Sequence, residues 1–358
     1  MTKTEITAFD LRFLVGELQP LVNERLDKVY VLEDRGILIT FGNKKMIQTM
    51  PGKCWTPVEK PATPEKIHPF AAQLRKLIGN SRVNKIEQVC SERILAIHVT
   101  RSEKQFVLYL EIFGRGNAVL CRADNVVVSA LALNERVQHG KTYHLPKGID
   151  TFHLDEKEFA EKLMQSKDNI SKTLAVQFGL GKTLAEELCI RCGISASEQV
   201  KEEHAHDVWH SLQKMLAQKP APQLVYEGSI VVDATPVPFD CYASKKRENA
   251  DSFGGALARM FALSAEAVKE QKTAPVQEKL KKIETMIQMQ EQSLARLQEK
   301  AEEERKKGEY IYEHYQEISK LLSEIIEAKK KLSWKEVKQK FPQILEINEA
   351  TGDVIVEI

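Results

Sequence analysis

At 358 residues the chain is long enough for two or three domains and for a real core in at least one of them. Lys+Arg 52 against Asp+Glu 51 leaves a net charge of +1, so no global field draws it to nucleic acid and any such contact has to come from a local patch. No run of about 18 apolar residues is present and residues 1–5 lead straight into an amphipathic pattern; neither a membrane span nor a signal peptide is read, and the cytoplasm is the expected location.

Residues 1–150 read as mixed α and β. A helix capped from residues 4–7 carries Phe9, Phe13, Leu14, Leu18 and Leu21 on one stripe. The strands LDKVYVLED and GILITFG follow, with Asp34, Arg35 and Gly36 as turn chemistry. Pro51, Gly52, Pro57, Pro61 and Pro64 predict a long irregular connection. HPFAAQLRKLIGN is a second amphipathic helix, with Phe70, Leu74 and Leu77 on one face and Gly79 or Asn80 as its stop. RVNKIEQVC, RILAIHVTR, QFVLYLEIF and NAVLCRADNVVVSAL then predict an antiparallel meander with one face packed on the helices.

Residues 152–217 switch to helices, DEKEFAEKLMQS, ISKTLAVQFGLG, KTLAEELCIRCG and AHDVWHSLQKMLAQ, joined by short glycine turns in the manner of a compact bundle. GLGKT at 179–183 lacks the glycine spacing of a phosphate loop and follows a helix rather than a strand, so it reads as a helix–helix turn. Pro220 and Pro222 open a stretch with strand character, QLVYEGSIVVDATPVPF, ahead of a helical run over 253–263.

The six cysteines, Cys54, Cys90, Cys121, Cys189, Cys192 and Cys241, show no disulfide or zinc framework, and Cys189 and Cys192 read as small apolar residues near a helix end. His204, His206 and His210 have no acidic or thiolate partner at fixed spacing. No metal and no cofactor is therefore expected.

From Glu266 the composition changes. Leu280, Ile287, Leu294 and Ala301 fit heptad position a, and Ile283, Gln290 and Leu297 fit position d. Gly308 is the expected interruption, before a second register through Ile311, Tyr315, Ile318, Leu322, Ile325 and Leu332. About 35 helical residues extend roughly 50 Å at 1.5 Å per residue. Such a seam needs a returning helix or a partner, whereas the sequence closes on the strand-like GDVIVEI.

The strings TAFDLRFLVGEL, HPFAAQLRKLIGNSRVNKIEQ, CSERILAI, EIFGRGNAVLCRADNVV, NERVQHGKTYHLP, PVPFDCY with FGGALARMFA, KKGEYIYEHYQEI and LSWKEV follow one another along the chain. In this order they resemble the NFACT family of ribosome-associated quality-control factors, the NEMF/RqcH type that includes the N-terminal region of fibronectin-binding protein A. The resemblance covers nearly the whole chain. It implies an α+β protein with a MutM-like NFACT-N domain at 1–150, a helix–hairpin–helix-like module at 151–218 and a strand/helix segment at 219–265 that joins back to the first domain. A long coiled-coil arm at 266–307 and a middle helical region at 308–358 complete the expected division, with the returning arm and a basic C-terminal RNA-binding domain of the family lying beyond it.

By the same resemblance the partners are a large ribosomal subunit still holding peptidyl-tRNA, and a recruited tRNA, alanyl-tRNA in many members. The stalled chain then gains a C-terminal tail without mRNA, and peptide-bond formation belongs to the ribosome, so the chain is expected not to be an enzyme. The family's tRNA-contacting pair falls on Glu92 and Arg93 and its N-terminal Asp on Asp10; Glu92 stands where an Asp is usual. A carboxylate accepts base-amino or ribose-hydroxyl hydrogen bonds, and a guanidinium clamps phosphate or stacks on a splayed base. Arg75 and Lys76 are candidate phosphate contacts, expected beside that pair. For Asp10 a helix cap or an ion pair within its own domain is the competing role, and for Glu92 and Arg93 a plain surface pair.

A DNA glycosylase on the same fold would need Pro directly after the initiator Met as amine nucleophile, where Thr2 and Lys3 stand. No P-loop, G-x-S-x-G, H-E-x-x-H or dinucleotide fingerprint is present. The remaining alternatives are an adhesin-like protein or a non-catalytic coiled-coil scaffold without an RNA role. Crosslinking separates them, since a quality-control factor recovers tRNA and large-subunit rRNA and a scaffold recovers background.

Overall fold

The computed structural model describes residues 2–146, 148–349 and 351–357, with the backbone alone for 264–281. Helix α1 (Ala8–Leu18) starts where the sequence supplies a reciprocal cap. Thr7 Oγ1 accepts from the Asp10 amide at 3.1 Å, and Asp10 Oδ2 accepts from the Thr7 amide at 2.7 Å. Its apolar face, including Phe9, Leu11, Leu14 and Leu18, is buried.

The strands β1 (Arg25–Val31), β2 (Ile37–Phe41), β3 (Met46–Met50) and β4 (Lys53–Trp55) form one antiparallel meander. A second comprises β5 (Ser81–Gln88), β6 (Ile94–Arg101), β7 (Lys104–Glu111), β8 (Asn117–Arg122) and β9 (Val127–Ala130). The nine strands make one sheet in the order β4-β3-β2-β1-β5-β6-β7-β8-β9. The two meanders are joined in the ladder through Arg25↔Arg82 and Leu26↔Ser81, with further backbone bonds between Asn23 and Val83 and between Val83 and Glu24. Past that seam, helix α2 (Pro69–Ile78) lies against β1, and Arg75 Nε donates to the Val29 carbonyl at 2.9 Å.

Two expectations are corrected here. The proline-rich stretch after residue 45 is not all irregular, because Pro51 and Gly52 turn the chain between β3 and β4. Gly52 has φ +76°, and a Cβ there would lie 2.6 Å from the Glu5 side chain. The β5–β9 meander is also covered on both faces. Leu95, Ile97, Val99, Leu108 and Leu110 join the main core, whereas the alternate residues Ile94, Ala96, Val107 and Tyr109 build a second core with Val137 and Tyr143.

Helices α3 (Glu156–Met164), α4 (Ile170–Lys172, continuing as a π turn over Thr173–Gln177), α5 (Lys182–Cys192) and α6 (Glu202–Leu216) form the helical module. A three-stranded sheet follows, ordered β11 (Ile230–Thr235), β10 (Gln223–Glu227), β12 (Lys246–Asn249). Glu187 of α5 is fully buried and joins the two. Its carboxylate accepts the Asp240 and Cys241 amides, both at 2.8 Å, and the Arg191 Nε at 2.5 Å.

Helix α7 (Phe253–Glu313) begins inside the main core with Phe253, Leu257 and Met260 buried and Phe261 against Trp55, ring centroids 5.6 Å apart. Its first amides, of Phe253 and Gly254, are capped by the Glu17 carboxylate of α1, the second at 2.8 Å. Gly254 is needed there, since a Cβ would fall 2.1 Å from Thr56 Oγ1.

The chain divides into two compact units, Met1–Lys269 and Glu270–Ile358. In the second unit the helix runs through Gly308 without a break and ends six residues later than expected, where His314 leaves helical geometry (φ −99°, ψ 19°). Ile283, Ile287, Leu294 and Leu297 of the expected heptad seam are 49–63% exposed; the Leu280 side chain lies outside the described residues. Helices α8 (Tyr315–Lys329) and α9 (Trp334–Lys340) and the hairpin β13 (Ile344–Asn348)–β14 (Asp353–Val356) close over Ile325, Val337, Phe341 and Ile344. Among the described residues no helix is long and apolar enough to cross a membrane.

Replacing Glu17 by Ala leaves the first α7 amides uncapped and is expected to cost about 1–2 kcal/mol, the upper range for loss of an N-terminal cap. Urea denaturation, followed by Trp55 fluorescence with Trp209 and Trp334 replaced by Phe, measures it; an unshifted midpoint would show that Glu17 is not the cap.

Candidate functional site

The β5–β6 turn is held from three sides. Gln88 Nε2 donates to the Ala8 carbonyl at the start of α1 and to the Glu92 carbonyl, both at 2.9 Å. Ser91 Oγ donates to Asp150 Oδ1 and accepts the Phe152 amide, both at 2.8 Å, which ties the turn to the start of the helical module. Cys90, at φ +52°, makes the reversal. Glu92 and Arg93 are thereby presented on a cleft of about 510 Å³ that Glu5, Thr7, Gly148, residues 175–179 and Gly181 also line.

Glu92 makes no side-chain hydrogen bond among the described residues, and its carboxylate lies against Gly148, where a Cβ would sit 2.1 Å from Oε1. Arg93 Nη1 is 2.5 Å from Glu5 Oε2 and donates to the Ile6 carbonyl at 3.3 Å. Glu5 is half exposed, and pairs of that kind contribute about 0–1 kcal/mol, so a phosphate can displace its carboxylate at little cost. Gly181, at φ +78°, is the N-cap of α5. Among the described residues no side chain caps that end, and no acidic residue occupies its first turn, so the positive end of the helix opens at the rim of the cleft.

Asp10 is not on the surface of this cleft. It is 2% exposed, and besides the Thr7 amide its Oδ2 accepts the Thr7 hydroxyl at 2.9 Å and the Lys3 ammonium at 2.9 Å. Lys3 also lies 2.9 Å from Asp233 Oδ1 and donates to the Ala234 carbonyl at 2.9 Å, while Tyr242 donates to Asp233 Oδ2 at 2.7 Å. Burial pushes the Asp10 carboxyl up, against the pull of Lys3. For Lys3 the lowering effect of burial is outweighed by the two carboxylates, and its pKa is raised. Asp10 thus shapes the cleft through Thr7, whose backbone and hydroxyl it holds.

Arg75 and Lys76 are not brought to the pair. Arg75 is stacked over Tyr30, 4.5 Å from the ring centroid, and committed to the β1 edge. The Lys76 carbonyl accepts from Arg101 at the far end of β6, eight residues from Arg93 and so about 25 Å away at roughly 3.3 Å per residue. Gln88, Ser91, Glu5 and Lys3, which sequence reasoning did not assign to the site, position or pair its groups. Their partners lie up to 231 residues away, beyond any local pattern.

The profile of NFACT N-terminal and middle domains matches residues 7–346. The chain belongs to the NFACT family. An archaeal Rqc2 homolog, aRqcH of Methanocaldococcus jannaschii, is 26% identical over 99% of this chain and 58% of its own length. The ribosome quality control complex subunit NEMF homolog of Drosophila melanogaster is 27% identical over 33% of this chain and 12% of its own length. This NFACT chain thus spans a little over half of the first relative and a small part of the second. Two solved structures share the fold: the N-terminal part of the Streptococcus suis fibronectin/fibrinogen-binding protein (TM-score 0.58, 18% identity, 72% of this chain, 99% of that one) and the Staphylococcus aureus fibrinogen-binding protein (0.60, 18%, 71% and 98%). The NFACT assignment associates the chain with ribosome quality-control proteins.

Removing the Lys3 ammonium leaves two buried carboxylates facing each other. Lys3→Met is expected to destabilise the protein by about 3–5 kcal/mol, the cost of breaking a buried pair. The pH dependence follows from the raised pKa values. The Lys3 contribution is fully present below 10.5, its unfolded value, and fades only as pH climbs through its raised folded value. Asp10 titrates above its unfolded 3.8, so protonation favours the folded state and acidification should narrow the gap between variant and parent. Chemical denaturation at two pH values reads both; a gap that widens in acid contradicts the assignment.

Proposed function

We propose that this chain acts in ribosome-associated quality control, binding a large ribosomal subunit with its stalled peptidyl-tRNA in the cytoplasm. There it recruits a further tRNA, alanyl-tRNA in the pattern of many relatives, for mRNA-independent C-terminal tailing; the ribosome forms the peptide bond. The observation that carries this reading is the cleft in which Glu92 and Arg93 meet the open N-terminus of α5. Arg93 and the α5 amides offer positive charge to a phosphate, and Glu92, without a partner among the described residues, offers acceptor oxygens to a ribose hydroxyl or a base amino group. These are the demands of a splayed RNA strand.

On this reading residues 1–150 are a MutM-like NFACT-N domain and residues 151–218 a helix–hairpin–helix-like module. Residues 219–265 join back to the first domain, 266–307 form a coiled-coil arm, and 308–358 belong to the middle region. The exposed Ile283, Ile287, Leu294 and Leu297 support the arm assignment, since a seam of that spacing is buried once a second helix lies along it.

Replacing Glu92 and Arg93 together by Ala should abolish tRNA recovery in crosslinking while circular dichroism stays that of the parent; undiminished recovery would refute the assignment. Arg93→Ala alone should lower the slope of log affinity against log salt by about 1, the loss of one phosphate contact. Deleting residues 270–358 should weaken co-sedimentation with the large subunit more than tRNA binding, and the opposite order would overturn this division of labour.

A further inference from the structure

Helix α6 carries three histidines, and the fold separates them. His204 is buried, its Nδ1 accepting the Lys201 amide at 3.3 Å as part of the helix cap. His206 and His210, one turn apart, face outward on the same side, with ring centroids 4.3 Å apart and planes at 70°. The carboxylate that meets both rings comes from the first residue of α3, not from α6 itself. Glu156 Oε1 is 2.6 Å from His206 Nδ1, and Oε2 is 3.9 Å from His210 Nε2. One ligand atom from each of the three residues lies within 4.8 Å of the others.

We propose that Glu156, His206 and His210 form a divalent transition-metal site of the Zn²⁺ class that staples α3 to α6. Zinc takes imidazole nitrogen at about 2.0–2.1 Å and carboxylate oxygen at about 2.0–2.2 Å, which sets tetrahedral ligands about 3.3 Å apart. The present spacings bracket that value, and the exposed side chains reach it by small torsional adjustments. Two imidazoles and one carboxylate favour zinc, nickel or copper over magnesium and calcium, which prefer an all-oxygen shell. Three protein ligands leave a coordination position for water.

The backbone beneath the site is already set. Trp209, between the two histidines, donates from Nε1 to the Leu154 carbonyl at 3.1 Å, which fixes the lead into α3 against α6. Its indole packs edge-on against His210, centroids 5.0 Å apart. Glu156 is thereby held opposite the histidine pair before any ion arrives, so little ordering opposes binding. The site lies on the helical module alone and is independent of the proposed RNA cleft.

The test is titration of the full chain, stripped with a chelator and then dialysed free of it, with Zn²⁺ by calorimetry and with Co²⁺ by visible absorption. The expected result is one ion per chain from the outward site, a Co²⁺ spectrum of a low-symmetry imidazole complex, and a Zn²⁺-dependent rise in Tm. Loss of a mere outer-shell partner costs about 10–100-fold in affinity, so His206→Ala, His210→Ala and Glu156→Gln should each lose at least that much. His314→Ala, in the second unit, should lose nothing. All three ligand positions are solvent-facing, and the Tm of each variant in chelator should match that of the parent. Zinc affinity unchanged in the His206 or His210 variant, or a Co²⁺ spectrum of the hydrated ion with the parent chain, would overturn the proposal.

Discussion

A single ammonium, that of Lys3, holds three separate parts of the chain in register. It joins the N-terminal segment to the cap of α1 through Asp10 and to the second sheet through Asp233 and the Ala234 carbonyl. The Lys3 amide adds a bond of its own to the Val232 carbonyl at 2.8 Å. Two carboxylates in one dry pocket repel each other, and desolvation opposes both charges; the cation between them turns that liability into a specific docking geometry. Because Asp10 also fixes Thr7, the position of one wall of the cleft is set from a strand more than two hundred residues later.

The same device recurs at other junctions. Glu17 reaches from α1 to the first amides of α7, and Glu187 reaches from α5 to the amides of Asp240 and Cys241. Both are carboxylates accepting backbone N–H groups that have no partner in their own element, and both join segments distant in sequence. The helical module is therefore located on the segment that follows the second sheet's β11, and the start of α7 on the N-terminal domain, by directional polar bonds as well as by apolar packing, which by itself tolerates sliding.

How much of this was legible depended on how local the determinant is. The cap of α1, the strands on either side of residues 34–36, the span of α2 and the β5–β9 meander follow from patterns read within a few residues. The β3–β4 hairpin was hidden by the expectation that prolines mean disorder of pattern, whereas Pro51 only shapes a turn and Trp55 earns its strand by packing on Phe261. Gly308 was expected to stop α7, but one glycine costs a helix only about 1 kcal/mol relative to Ala, too little to interrupt a segment otherwise rich in helix formers. Within the candidate site, Glu92 and Arg93 were singled out by resemblance. The cap reading of Asp10, weighed from its place in the first turn, describes its contacts, and only the fold could show that Arg75 is committed to a strand edge, that Lys76 stands at the other end of β6, and that Glu156 faces His206 across fifty positions.

The narrow join between β1 and β5 gives the large sheet an unusual mechanical character. Seven other neighbouring strand pairs make up the rest of the sheet, whereas here two facing residues on each side form the ladder, flanked by backbone bonds from Asn23 to Val83 and from Val83 to Glu24, with α2 bridging what lies beyond. Such a sheet resembles a book pinned at both margins: the spine is short, but at the opposite edge the Gly52 amide donates to the Ile112 carbonyl at 3.1 Å and Pro51 lies beside Gly116, so the page bearing Glu92 and Arg93 is held from two sides.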